Sequence, residues 1–330
     1  MAQDQTKKEA LFNEVKGSLF EYLVAKRLAF LNQDELRFHK SLDRNYLTVL
    51  SQQDRMVRQF YPEMLSFLET VSKKTADTIL PYFKGNKFSP HLTGKFANTH
   101  SSRELHEADL LIKTEEGLTP LSLKLNKKNA YVNTKSGGIK SFFTHYFPFI
   151  DSEVQQRFCQ LVDLEFNRMS IELHAFHDLE YPGHFNLWVQ HGFSELPGEL
   201  SKEERAILKR YYARIAYEIH HIMTQAQKQN AENFSQSLAP LMGFGSHEIV
   251  QVICFHEFKT SHEAEVIIHP YKEIGPQLKD ARIMAFQEIS SVEVEVGNWS
   301  LQIRVKPMNK FTTTAIKMNC SVKVKRPNDV

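Results

Sequence analysis

The chain predicts an α/β fold, a sheet core flanked by helices with a β-rich C-terminal part, on three observations. Apolar residues recur at a helical period through residues 5–80. A strand–turn–strand pattern runs from Asp109 to Leu125. From about residue 246 the periodicity shortens to the alternation of strands. The 330 residues suffice for one large or two moderate domains, and 42% hydrophobic with 24% charged residues is the balance of a globular chain with a real core.

The elements follow in order. Leu11, Val15, Leu19, Leu23 and Leu28 share one helical face, as do Met56, Phe60, Met64, Leu65 and Leu68. Pro81 and Lys84-Gly85-Asn86-Lys87 end that region. Residues 91–135 hold the hairpin, with Glu115-Glu116-Gly117 as its turn, followed by a polar, basic loop from Asn126 to Gly138. Residues 139–180 return to a helical period, with Pro148 near a boundary and Pro182-Gly183 as a turn. Ser201 followed by Glu204 has the spacing of a capping box, opening a helix to about Lys228. Ile249–Phe255, Glu265–His269, Val292–Val296, Trp299–Val305 and Ser321–Lys325 read as strands. A division between 230 and 245 separates residues 1–240, an α/β core with helical insertions, from a β-rich segment 241–330 suited to target recognition.

The hairpin carries the chemistry. Period-two alternation puts Ser122 and Lys124 on the face opposite Leu121, Leu123 and Leu125, with Asp109 on the partner strand. A lysine among leucines is costly to bury without a partner or substrate. An aspartate and a lysine beside a divalent cation meet the needs of phosphodiester hydrolysis. The carboxylate holds the ion; the ammonium orients water or offsets charge building on the phosphate.

This arrangement resembles the PD-(D/E)xK nuclease superfamily of restriction endonucleases and repair nucleases, in a Ser-x-Lys variant. A second element of the resemblance lies upstream, where Lys16-Gly17-Ser18-Leu19-Phe20-Glu21 through Leu28 is similar to that superfamily's first helix, which often begins with glycine and carries a metal-holding glutamate. The resemblance covers roughly residues 14–145 and implies a restriction-endonuclease-like mixed sheet. It implies Mg²⁺ held by Glu21 and Asp109, Lys124 positioning the attacking water, and Ser122 hydrogen-bonding water or phosphate. The chain departs from the pattern at Ser122, where the superfamily carries an acid, and no Asp or Glu lies between Leu125 and Ile150 to replace it. Glu21, Glu107 or the Leu123 carbonyl are the candidates to complete the metal site.

Two further stretches suit DNA. Lys127, Lys128 and Lys135 in the loop Asn126–Gly138 are expected phosphate contacts, with Gly137-Gly138 freeing backbone N–H groups for an anion. Between residue 300 and the end, Asp329 is the sole acid. There Arg304, Asn309 and Asn319 are expected to read base edges, and Lys310 and Lys317 to bind phosphate.

Other classes find little support. The chain lacks G-x-x-x-x-G-K-[ST], G-x-G-x-x-G and G-x-S-x-G. His174, His177, His184 and His191 match no zinc spacing, and Cys159, Cys254 and Cys320 form no Cys-x-x-Cys pair, which suits a reducing cytoplasm. No apolar run reaches a membrane span, and the first fifteen residues lack a signal-peptide core. A net charge of +2 confines any nucleic-acid footprint to a local patch.

The leading expectation is a cytoplasmic, Mg²⁺-dependent DNA endonuclease of type II restriction kind, acting as a homodimer on double-stranded DNA. The alternative is a nucleic-acid-binding or assembly protein on the same fold whose catalysis has lapsed. A third is a partner-binding protein using some of its 24 phenylalanines at an interface.

Overall fold

The computed structural model describes residues 2–83, 87–93, 108–245, 248–257 and 264–324, without the side chains of residues 2–11. These form two compact units, one from Met1–Ala130 with Phe244–Gly275 and the other from Tyr131–Gly243 with Pro276–Val330. This division differs from a single cut after residue 240, because the strand at Val250–His256 pairs within the first sheet.

The first unit begins with helices α1 (Ala2–Leu31), α2 (Glu35–Ser41), α3 (Arg44–Phe60) and α4 (Pro62–Ile79). The Asp43 side chain accepts from Asn45 and Tyr46 N–H at the start of α3, and Pro62 opens α4, where a missing N–H costs nothing. The sheet strands are β1 (Ser89–Leu92), β2 (Leu110–Lys113), β3 (Leu118–Lys127), β5 (Val250–His256) and β6 (Ala264–Pro270), with the short α10 (Tyr271–Ile274) after them. Their order is β1-β2-β3-β5-β6; neighbours are antiparallel except β3 and β5, which are parallel, so the sheet is mixed.

Alternation gives the sheet two unlike faces. Leu110, Ile112, Leu121, Leu123, Val252 and Cys254 enter one core with Leu19, Phe20 and Val24 of α1 and Phe67, Leu68 and Val71 of α4. Ser122, Lys124 and Gln251 project from the other face.

The second unit contains α5 (Phe142–Tyr146), α6 (Ser152–Ala175), α7 (Asn186–Gln190), α8 (Lys202–Gln229) and α9 (Ala231–Leu241). The Ser201–Glu204 capping box is present, with reciprocal bonds of 3.1 and 2.6 Å at the start of α8. Its sheet comprises β4 (Val132–Gly138), β7 (Arg282–Ile283), β8 (Ser291–Val296), β9 (Trp299–Pro307) and β10 (Ile316–Val324), antiparallel throughout in the order β4-β10-β9-β8-β7. Valines of β8 with Trp299, Leu301, Ile303, Val305, Met318 and Cys320 are buried on one face, and α8 lies against β8 and β9.

Two expectations need correction. The basic loop Asn126–Gly138 is the end of β3, a short turn and strand β4, whose Gly137 and Gly138 pair with Met318 and Lys317 instead of facing an anion. The polar sequence Val132-Asn133-Thr134-Lys135-Ser136 hid that strand, because its exposed side chains mimic a loop. Asn309 and Lys310, expected as a base reader and a phosphate contact within the β-rich segment, lie instead in the connection between β9, which ends at Pro307, and β10, which begins at Ile316.

Candidate active site

Asp109 stands just before β2, where its backbone N–H donates to the Leu121 carbonyl at 2.8 Å. One rung further, its carboxylate takes the place of a backbone acceptor. Leu123 N–H donates to Oδ2 at 2.7 Å, and Ser122 Oγ and Lys124 Nζ approach the same oxygen at 3.3 Å each. Among the described residues Oδ1 receives no hydrogen bond, which leaves it available to a cation or water. The ion pair with Lys124 is only partly screened, the two side chains being 30% and 22% exposed. The three sequence-predicted residues Asp109, Ser122 and Lys124 therefore meet at one point.

In a strand, a residue's N–H and C=O point to the same neighbour. Leu123 directs its N–H to Asp109, so its carbonyl faces that side too. A carboxylate oxygen and a backbone carbonyl are hard oxygen donors of the kind Mg²⁺ takes, with waters and substrate phosphate filling its remaining positions. Two donors of that kind are present, on Asp109 and Leu123. Glu107, also expected as a ligand, lies outside the described residues.

Glu21 is placed differently. Helix α1 packs on the leucine face of the sheet, opposite the face bearing Ser122 and Lys124. Its carboxylate acts on Tyr46 of α3, whose hydroxyl is pushed up in pKa by burial and then by Glu21. Among the described residues, no three His, Cys, Asp or Glu side chains gather as a metal site.

No family model, no curated protein and no solved structure matches the chain. The site therefore rests on its own geometry.

That geometry includes residues the sequence reading missed. Ser122 pairs with Gln251 on β5, and Gln251 pairs with His269 on β6. Thr93 N–H donates to the Asp109 carbonyl at 3.3 Å. A polar row thus crosses the sheet from Thr93 through Asp109, Ser122 and Gln251 to His269. Burial lowers the His269 pKa to about 4, so this imidazole is neutral at pH 7. The available signal was a single amide inside the apolar run Val250-Gln251-Val252-Ile253, which only the parallel pairing with β3 makes meaningful.

The expected DNA contacts are dispersed. Lys127 ends β3, where it helps to depress the pKa of Lys16, itself lowered mainly by burial. Lys128 pairs with Glu257 at 2.9 Å, and Lys135 lies on β4 in the second unit. Lys310 forms an ion pair with Glu195, to which Thr312 Oγ1 also donates at 2.8 Å. The Asn319 amide donates to Asn133 Oδ1 at 2.8 Å and to Ser321 Oγ at 3.2 Å, and its residue is buried. Asn309 is exposed after β9, and Arg304 and Lys317 lie on one face of the second sheet.

In the histidine-rich stretch two imidazoles have hydrogen-bond partners within the fold. His174 is fully buried, sharing a 2.8 Å bond with the Ser170 carbonyl and packing on Tyr181, Phe185 and Trp188. His177 bonds Glu204 at 2.9 Å. No described helix is long and apolar enough to cross a membrane.

Proposed function

We propose that the chain is a Mg²⁺-dependent DNA endonuclease of the PD-(D/E)xK kind, hydrolysing phosphodiester bonds. The observation that carries this reading is the convergence of Asp109, Ser122 and Lys124 on an antiparallel strand pair whose second strand runs parallel to β5. Asp109 Oδ1 and the Leu123 carbonyl are the described groups that would hold the ion. When bound it would polarise the phosphate and lower the pKa of a water. Lys124 orients that water for in-line attack on phosphorus and offsets the negative charge that builds there. Ser122 Oγ donates to Asp109 Oδ2 and helps to hold that carboxylate beside Lys124. The water gives a proton to solvent as its oxygen bonds to phosphorus, the bond to the leaving oxygen breaks, and a proton from solvent neutralises the leaving group. Cutting both strands of a duplex suits a homodimer with two such sites related by a two-fold axis.

One observation favours a second reading, a nucleic-acid-binding or assembly protein with lapsed catalysis. The position of the motif's middle acid is Ser122, and Asp109 is already neutralised by Lys124. Cleavage of supercoiled plasmid with Mg²⁺, beside EDTA, separates the two. Cutting that stops with EDTA supports the endonuclease; binding without cutting supports the lapsed form.

A further inference from the structure

The second sheet carries a cationic cluster that the candidate active site does not use. Alternation sends Arg304 and Lys306 of β9 and Lys317 and Asn319 of β10 to one face, away from buried Ile303, Val305 and Met318. The register sets Lys306 directly opposite Lys317 and Arg304 opposite Asn319. Like charges directly opposite destabilise a sheet. The conflict is visible in Lys306, whose ammonium pKa is lowered by burial and then by Lys317 and Arg304.

No described carboxylate forms an ion pair with Arg304, Lys306 or Lys317. Glu293, on the same face of β8, instead accepts from the Gln302 amide at 3.2 Å. The amides around the cluster are occupied with one another. Arg304 donates to Gln302, and Asn319 and Ser321 both donate to Asn133. Asn319, with its amide hydrogens on Asn133 and Ser321, cannot also read a base edge without breaking those bonds, whereas Arg304 gives one N–H to Gln302 and keeps its others for a phosphate. Ammonium groups need no such freedom to meet a phosphate. Arg304 and Lys306 stand two residues apart, about 6.8 Å along the strand, so the charge is spread in a line instead of focused on one anion.

We propose that this face binds the phosphodiester backbone of double-stranded DNA through Arg304, Lys306 and Lys317, clamping it without reading sequence. The choice of a phosphodiester as the anion rests on the nucleic-acid reading of the chain; the cluster itself does not depend on catalysis. It replaces the expectation that Arg304 and Asn319 specify a site, and it adds Lys306.

The test is fluorescence anisotropy of the full chain with two unrelated labelled duplexes, Ca²⁺ replacing Mg²⁺, over a range of salt. Lys306→Gln with Lys317→Gln should lower the log–log salt slope by about 2 and weaken both duplexes equally. Lys73→Gln with Lys74→Gln, two exposed lysines of α4, controls for the same change in net charge and should leave binding unchanged. The double variant should also melt no lower than wild type, because it removes a like-charge pair, so a folding failure counts against the proposal. A slope equal to the control, a loss confined to one duplex, or binding to anionic vesicles but not to duplex would overturn it. Plasmid cleavage by the same preparations reads the active site separately. Salt-sensitive binding with no cleavage keeps this face and sinks the endonuclease, whereas cleavage with an unchanged slope does the reverse.

Discussion

Replacing Asp109 should separate its structural and chemical duties. Its Oδ2 accepts the Leu123 N–H at 2.7 Å where the β2 backbone no longer does. Asp109→Ala leaves that amide without an acceptor, and loss of a hydrogen bond to a charged acceptor costs roughly 1.5–3 kcal/mol. The Lys124 ion pair adds less, about 0–1 kcal/mol for a partly exposed pair. Asp109→Asn retains an oxygen of the same reach, so it should lose the ion pair and only part of the hydrogen bond, about 1 kcal/mol in all. The two variants should thus differ by about 1–2 kcal/mol, or several degrees of melting temperature for a unit of 150–250 residues. Urea unfolding followed by circular dichroism measures this difference, while both variants should be inactive in cleavage. Equal destabilisation of the two would show that the carboxylate does not serve as the missing ladder acceptor.

Two other predictions concern the fold. Burial, with Lys16 and Lys127 adding to it at His256, lowers the pKa of His256 and His269 from 6.5 to about 4. Between those values the unfolded chain takes up protons that the native chain refuses, so stability should fall as pH drops from 6.5 toward 4. His256→Gln with His269→Gln should flatten that slope in urea titrations at pH 7, 5.5 and 4.5; an unchanged slope would show that these imidazoles are not buried neutral. Gly297 turns the β8–β9 hairpin at φ +56°, and a Cβ there would clash with the Gln277 side-chain oxygen. Gly297→Ala should lower the melting temperature, and adding Gln277→Ala should recover the steric part while leaving the backbone strain; no recovery would place the whole cost in φ.

The strands and helices with strong periodicity were legible in the sequence. Ile249–Phe255 and Glu265–His269 appear as β5 and β6 almost residue for residue, and the Ser201–Glu204 capping box opens α8 as its spacing implied. The pairing of Asp109 with Ser122 and Lys124 was legible because a short antiparallel hairpin makes contacts local in sequence. What failed was non-local. The joining of β5 to β3 crosses more than a hundred residues, and no local pattern announces it, so Gln251 and His269 stayed outside the expected site. Strand β4 was hidden because its pairing with β10 supplies what its polar sequence does not. The loop assigned to Lys135 was misread for the same reason, since this residue belongs to strand β4. Composition identified cationic stretches correctly but could not show that Asn319 and Lys310 already have partners.

The central claim is that Asp109 and Lys124 form a hydrolytic site, and single-turnover cleavage of supercoiled plasmid tests it most directly. Wild-type chain should nick or linearise the plasmid with Mg²⁺ and stop on adding EDTA. Asp109→Asn and Lys124→Ala should each lose cleavage by at least a hundredfold while keeping wild-type duplex binding in Ca²⁺. Mg²⁺-dependent cleavage that persists undiminished in both variants, or its absence from folded, DNA-bound wild-type protein, would contradict the account.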